Sequence, residues 1–520
     1  MNKESIWSRA LKGGGIGGLS FLLTMGTNML QVTVLLKYWS PDQYGAWLAL
    51  LSVSTLLTAL DGGHQNYIGN LLNKLYVSDL SAFKSVLGGG VRVALFLGAI
   101  QGLIVFFLAM SGLLRHAFNF PKVFDGQFGP ALVIYTWSWI SVGSVGSIIV
   151  RLFTPSGYYV RSIWWNIVIR LSQFIILALC AFFRCDLILT ACFYGGGTIL
   201  LNLVLFWDLA RVMPQFWPWW TDGNLRIGFT NFSKSIVLTF TGLLDGFTLQ
   251  GVNLLITGFL GVAVLPIFST LRTVANTAMQ STMFLLNPIT PDLVRFHVGR
   301  EWKKLTATFQ LFWFTTGLFI NCGSLAGLFF IEPLYKVWTQ GKLAFDRSLF
   351  AWLVIGVIFR TAGAPFSVLL QSLNRLRIQF IISFLRGTIA LVLSLLLLSR
   401  FGLAGIASSL AVAEFVCSIV IPYYFTRIEF NEIGGILSTR DVISAAVSTS
   451  ACSLGLASYF MCEKIFNLLF VMSLIGCLLV IFCQWKGLAP ELKNRFLALL
   501  NKGARFKKRS SLPITVSESQ

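Results

Sequence analysis

Histidine occurs only three times in 520 residues, at His64, His116 and His297, and the nine cysteines lie in or beside apolar stretches with no Cys-x-x-Cys spacing. A transition-metal centre needs His, Cys and carboxylate side chains clustered at ligand spacing, so the sequence offers no plausible metal site. It also lacks a Gly-x-x-x-x-Gly-Lys-Ser/Thr loop, which excludes direct nucleotide hydrolysis as an energy source. No cofactor is implied. Charged residues are scarce at 12%, about half of the quarter usual in soluble domains. Acidic residues are scarcer still, 20 against 40 Lys and Arg, giving a formal charge of +20.

In place of charge there is hydrocarbon. Apolar residues make up 56% of the chain and mean hydropathy is +0.76, more apolar surface than one folded core can hide. The expected fold is therefore an all-α polytopic membrane protein. A hydropathy reading at about 20 residues per crossing gives fourteen candidate transmembrane helices, from 13–36 to 465–484. "GGGIGGLSFLLTMG" leads into the first of them without a clear cleavage site, so that helix is expected to be retained.

The basic residues set the expected topology. With the N-terminus inside, 26 of the 40 Lys and Arg fall on inside links and 9 on outside ones, which favours a multi-pass membrane protein with both termini cytoplasmic. Dispersal of these bases among membrane links argues against nucleic acid as a partner. The segment 485–520 is a basic tail, suited either to anionic lipid headgroups or to solvent.

Internal similarity points to two related halves. Residues 156–179 align without a gap to 372–395 at a shift of 216, pairing Arg161 with Arg377 and Arg170 with Arg386; Arg184 and Arg400 continue the register. The expected organisation is a six-helix bundle over 1–208, a cytoplasmic linker over 209–228, a second six-helix bundle over 229–424, and two additional helices over 425–484. Trp217, Trp219 and Trp220 in the linker read as headgroup-level anchors. The runs "KGGGIGG", "LGGGV" and "YGGGT" suit close helix packing or hinging.

Several spans carry a polar stripe. Ser162, Asn166, Arg170 and Gln173 recur on one helical face, and Gln379, Ser383, Arg386 and Ser394 repeat it in the second half. An arginine at bilayer depth costs roughly 2.5–3.5 kcal/mol, so it faces water or a partner, or snorkels to the surface. Arg170, Arg272, Arg360 and Arg386 are the substrate-binding candidates. Their planar guanidinium forks suit phosphate, and a lipid-linked diphosphate sugar is an anion that needs such a path through a membrane. Asp61, Asp245 and Glu414 are the candidate ion-coupling carboxylates. Asp61 reads as the end of a helix, where a cap competes with that role. Asp245 and Arg272 could instead form a structural pair, and Arg92 reads as an interface residue.

The stretch "LLKYWSPDQYGAWLALLSVSTLLTALDGG" (35–63) resembles the opening signature of bacterial polysaccharide flippases, the O-antigen branch of the multidrug/oligosaccharidyl-lipid/polysaccharide exporter superfamily. Lys37 stands where Arg is usual, and the Leu-Gly of that signature is missing. "LLDGFTLQGVNLLITGFLGVAVLPIFSTLRTVANTA" (243–278) and "LNPITPDLVRFHVGREWKKL" (286–305) resemble later family segments, with Asp245 and Leu260-Gly261 in place. The resemblance implies a V-shaped alternating-access flippase for undecaprenyl-diphosphate-linked oligosaccharide. Membrane lipids and the polysaccharide polymerase and chain-length machinery are the partners it implies. Lipid II flippases and cation-coupled multidrug exporters of the same superfamily are the alternatives. A membrane polysaccharide polymerase fits less well, because the outside links near 115–128 and 332–347 leave little room for catalysis.

Overall fold

The computed structural model describes residues 6–488 apart from 115–117, 119, 287–292, 294, 298, 374, 433–437 and 462–465, together with 490 and 493. Most of the basic tail, and Cys462, lie outside the described residues. Within them the chain is helical with no strand. The helices are α1 (Ile6–Tyr38), α2 (Pro41–Ser78), α3 (Leu80–Met110), α4 (Lys122–Ile149), α5 (Tyr159–Phe182), α6 (Leu187–Val212), α7 (Leu225–Gly246), α8 (Val252–Phe259), α9 (Leu265–Leu286), α10 (Trp302–Thr316), α11 (Gly323–Trp338), α12 (Arg347–Ala362), α13 (Ala364–Ser372), α14 (Leu376–Glu414), α15 (Ile421–Glu432), α16 (Thr439–Met461) and α17 (Phe466–Gly487). Three π-helical turns, Phe247–Gly251, Gly317–Cys322 and Phe415–Val420, join α7 to α8, α10 to α11 and α14 to α15.

Local sequence explains where helices begin. Ser40 caps α2 by accepting from the Gln43 N–H, with Pro41 at its first turn. Asp79 accepts from the Ser81 and Ala82 N–H groups to start α3, Asp186 caps α6 and Asn224 caps α7. Each side chain satisfies a helix-terminal donor that would otherwise lack a partner.

Twelve helices among the described residues are long and apolar enough to cross a membrane, or thirteen with the bent pair α12–α13 taken as one span. The run from Arg377 to Asn431 counts once among them, yet it folds back on itself. Gly402 breaks α14 at φ 54°, ψ −132°. A Cβ at Gly405 would lie 2.6 Å from the Leu397 carbonyl oxygen, whereas eight residues of straight helix would separate the two by about 12 Å. Counted as two crossings, this run brings the total to the fourteen expected from hydropathy.

The chain forms two compact units. The first comprises Met1–Thr277, Phe330–Leu353 and Leu376–Ala413; the second comprises Ala278–Phe329, Val354–Arg375 and Glu414–Gln520. In the first, α4 packs along α6 and α3, and α2 along α3 and α7. A core of Ile68, Leu72, Phe83, Leu152, Phe153 and Leu209 closes one end. Trp219 belongs to that core at 3% exposure, edge-on to Phe206, so it is not a headgroup anchor; Trp217 and Trp220 are half-exposed. In the second unit α16 packs along α17, and Phe309, Phe312, Trp313, Phe366 and Phe430 form the core.

The linker is seated on α3, backbone against backbone. Arg92 donates to the carbonyls of Trp220 (3.1 Å), Gly223 (2.7 Å) and Thr221 (3.3 Å). A Cβ at Gly88 would lie 1.6 Å from the Asp222 carbonyl oxygen, and one at Gly228 2.3 Å from that of Gly89. Arg92, expected at the membrane interface, is engaged by linker carbonyls, and the "LGGGV" run lies in close approach to the linker. Gly88→Ala should destabilise the protein by about 1–3 kcal/mol, the cost of overpacking. Gly196→Ala, at a site with nothing within 4 Å of the added methyl, should not. Thermal unfolding of both variants in detergent checks this.

Candidate functional site in the membrane-spanning helices

The seventh span carries a π-helical turn, and polar residues gather there. In an α-helix the Leu249 carbonyl would be turned inward to its own ladder; the π-turn Phe247–Gly251 loosens that ladder and releases backbone acceptors. Arg272 of α9 takes one, donating from Nη1 to the Leu249 oxygen at 3.0 Å, with its guanidinium 5.6 Å from the Phe268 ring centre. Asn253, just past the turn, donates to Gln250 Oε1 (3.1 Å) and to Ser52 Oγ of α2 (3.0 Å). The second half reaches the same turn through α14: a Cβ at Gly387 would sit 3.4 Å from Thr248 Oγ1, and half-buried Arg386 precedes that glycine. Asp245, also half-buried, lies two residues before the turn. It forms no ion pair among the described residues, so the Asp245–Arg272 pair is not made. Arg272 thus engages this turn directly, and the glycine that follows Arg386 approaches it, with Asp245 just before it in the chain.

Arg170 sits elsewhere in the first unit, on α5. It is exposed and has no hydrogen bond or ion pair among the described residues, with Tyr194 of α6 within electrostatic reach. Its neighbour at the start of the same helix behaves differently. Arg161 makes a two-pronged ion pair with Asp208 of α6, which also accepts from Trp165 Nε1 at 2.8 Å. The second half has an analogous tie, Arg375 to Glu429 at 2.8 Å, again from the start of a fifth helix to the end of a sixth. Left-handed residues also close both hairpins, Arg184 (φ 53°) after α5 and Gly402 (φ 54°) within α14. Arg170 lies about 14 Å along its helix beyond Arg161. The shallow arginine is neutralised; the deep one is not.

In the second unit Arg360 and Glu414 meet. Arg360 Nη1 lies 3.5 Å from Glu414 Oε1, and Ser418 Oγ donates to Oε2 at 2.5 Å. Glu414 is the last residue before the π-turn Phe415–Val420. The bend at Gly363 fits against the same turn, where an added Cβ would lie 1.7 Å from the Ser418 carbonyl oxygen. A candidate anion site and a candidate coupling carboxylate are thus each other's partners.

Asp61 is not at a helix end. Since α2 runs on to Ser78, Asp61 lies mid-helix, 1% exposed, accepting a hydrogen bond from Ser144 of α4. Sequence reasoning missed Ser144 and also Gln101 of α3, which faces the same carboxylate. Gln101 is a single polar residue in an apolar stretch, whereas Ser144 belongs to a series, Ser138, Ser141, Ser144 and Ser147, that could have marked it.

No family model matches this chain, and no curated protein matches it in sequence. Solved structures match its fold. A multidrug resistance MATE family transporter of the MOP superfamily, in an inward-facing conformation, superimposes with a TM-score of 0.63 at 12% identity, covering 79% of this chain and 95% of its own. A MOP superfamily transporter from Pyrococcus furiosus, reported to have a binding pocket of reverse polarity, gives 0.59 at 11% identity over 82% and 96%. The lipid II flippase MurJ, in an inward closed conformation, gives 0.60 at 12% identity over 91% of this chain and 99% of its own. That share exceeds what the first twelve spans supply, since the chain to Glu432 is about five-sixths of 520 residues. This chain is a multi-pass helical membrane protein with the fold of MOP-superfamily transporters.

Proposed function

We propose that this protein is a flippase that carries undecaprenyl-diphosphate-linked oligosaccharide, an O-antigen or other surface-polysaccharide repeat unit, across the bacterial inner membrane by alternating access. The observation that carries this reading is the imbalance of charge at membrane depth. Arg170 has no acidic partner among the described residues, and Arg272 is engaged by a backbone carbonyl rather than by Asp245. A diphosphate brings the negative charge that such a wall lacks, and guanidinium forks bind it by two charge-assisted hydrogen bonds at once. A cationic drug would meet repulsion from the same groups. Arg360 contributes by exchanging Glu414 for substrate phosphate. Neighbouring folds that transport rather than catalyse, and the short outside links, support a transporter over a polymerase.

Alternating access needs contacts that break. At the end where α1 finishes and α2 begins, proposed to be periplasmic, the first unit is tied shut. Trp338 Nε1 donates to the Met29 carbonyl (2.8 Å), Thr33 Oγ1 to that of Trp338 (3.0 Å) and Lys342 to that of Trp39 (3.4 Å). A Cβ at Gly45 would lie 1.9 Å from the Val262 carbonyl oxygen. These are the contacts a release step toward the periplasm would open.

One observation favours a second reading, transport of lipid II: the match to MurJ spans 91% of this chain. Competition between the two lipid-linked substrates in reconstituted vesicles separates them.

In proteoliposomes, wild type should deliver labelled diphosphate-linked oligosaccharide, and Arg170→Ala with Arg386→Ala should lose at least about ten-fold, the loss expected for one or two charge-assisted bonds. Normal delivery by the double variant at wild-type protein level would refute the arginine wall. A Thr33→Cys, Trp338→Cys pair, crosslinked by oxidation, should halt delivery and recover on reduction; unaffected transport would show that these contacts do not open.

A further inference from the structure

The last helical hairpin encloses a polar cavity within the second unit. α16 begins and α17 ends beside it, α10 closes it, and its volume is about 240 Å³. Gln310 of α10, Arg440, Asp441 and Ser444 of α16, and Cys483 and Gln484 of α17 line it. The volume is below the roughly 300–1,000 Å³ of a drug-sized site and suits a small polar group. Two candidate spans, Thr439–Tyr459 and Leu468–Gly487, start and finish at this cavity, which sets it at the depth of lipid headgroups rather than of hydrocarbon. Lys486, 4.6 Å from the Phe482 ring centre, marks the same level.

The cavity carries both signs of charge, and they are not spent on each other. Asp441 accepts from Gln310 Nε2 at 2.9 Å and forms no ion pair among the described residues. Arg440 is exposed and forms neither a hydrogen bond nor an ion pair among them. Consecutive residues of a helix do not face each other, so one ligand must bridge the two to serve both. The helix ends repeat the pattern: the first turn of α16 favours an anion and the last turn of α17 a cation. Gln484 donates from Nε2 to Ser444 Oγ at 2.8 Å, which holds the α16 and α17 walls together.

These features select among the groups found at that depth. A purely anionic headgroup would meet the Asp441 carboxylate, and a purely cationic ligand would meet Arg440. A phosphate and an ammonium joined by a short tether satisfy both. The ammonium needs N–H groups, because a carboxylate is bound most strongly by charge-assisted hydrogen bonds, and a quaternary amine has none to donate.

We propose that this cavity binds the phosphoethanolamine headgroup of a membrane phospholipid, its phosphate on Arg440 and its ammonium on Asp441. A lipid of the surrounding bilayer then fastens α16 and α17 to α10. The site is independent of the transported substrate and of the flippase reading.

Lipid competition on the full-length protein tests it, read by native mass spectrometry with phosphatidylethanolamine, phosphatidylcholine and phosphatidylglycerol of matched chains. Wild type should retain phosphatidylethanolamine in preference to the other two. Asp441→Asn should lose about ten-fold in its preference over phosphatidylcholine, the effect of one hydrogen bond to a charged group. Arg440→Gln should bind both lipids about ten-fold more weakly; Arg440 is exposed, so this variant carries the test even where Asp441→Asn does not fold. Cys483 is exposed and lines the same cavity. Its alkylation by N-ethylmaleimide, followed on the Cys483 peptide, should slow with phosphatidylethanolamine and not with free phosphoethanolamine. Equal retention of the three lipids, or a preference untouched by both substitutions, would overturn the site. Stronger retention of phosphatidylglycerol would overturn the ammonium subsite, and protection of Cys483 by free phosphoethanolamine would overturn the lipid as its source.

Discussion

A charge at bilayer depth must find a partner, water or a way out, and the arrangement of this chain follows from that constraint. Backbone polar groups meet it by forming helices, the one open-chain solution without lipid-exposed edges. Side-chain charges meet it one at a time. Arg161 and Arg375, at helix starts, are tied to acids on the following helix; Arg92 spends its fork on linker carbonyls; Arg360 holds Glu414. Among the described residues Arg170 stands outside this scheme as a cation without an acid, and Asp61 and Asp245 as acids without a cation.

The two halves solve the same problem with different residues. An arginine at the start of the fifth helix and an acid near the end of the sixth clamp each hairpin, yet neither the acids, Asp208 and Glu429, nor the arginines, Arg161 and Arg375, align at the shift of 216 that pairs Arg161 with Arg377. The geometry of the clamp is repeated more faithfully than its sequence. Broken helices recur in the same spirit: π-turns follow Asp245 and Glu414 closely, so that candidate carboxylates sit where the backbone ladder is loosest.

Fourteen crossings were legible in the sequence because hydropathy is a local property and spans need only length and composition. The deep arginines were legible for the same reason, as interruptions of apolar runs. Their partners were not. Arg360 and Glu414 are 54 residues apart, and nothing local distinguishes Glu414 as a partner from Glu414 as a free carboxylate. Asp61 was misjudged because "DGG" reads as a helix end, whereas in lipid glycine serves close packing and α2 continues through it, with Gly63 pressed against Thr239. Trp219 was misjudged because an interfacial tryptophan and a buried one have the same local sequence signature.

The seat of the linker on α3 has a mechanical consequence. Residues 209–228 join the two sequence halves, but they are not slack. They are pinned by Arg92 and the glycine run, and the span that follows packs on the first half, through Gly63 against Thr239 and Ser52 with Asn253. By sequence the seventh span belongs to the second bundle; by packing it is cargo of the first. The covalent seam between the sequence halves therefore lies inside one compact unit, not between two.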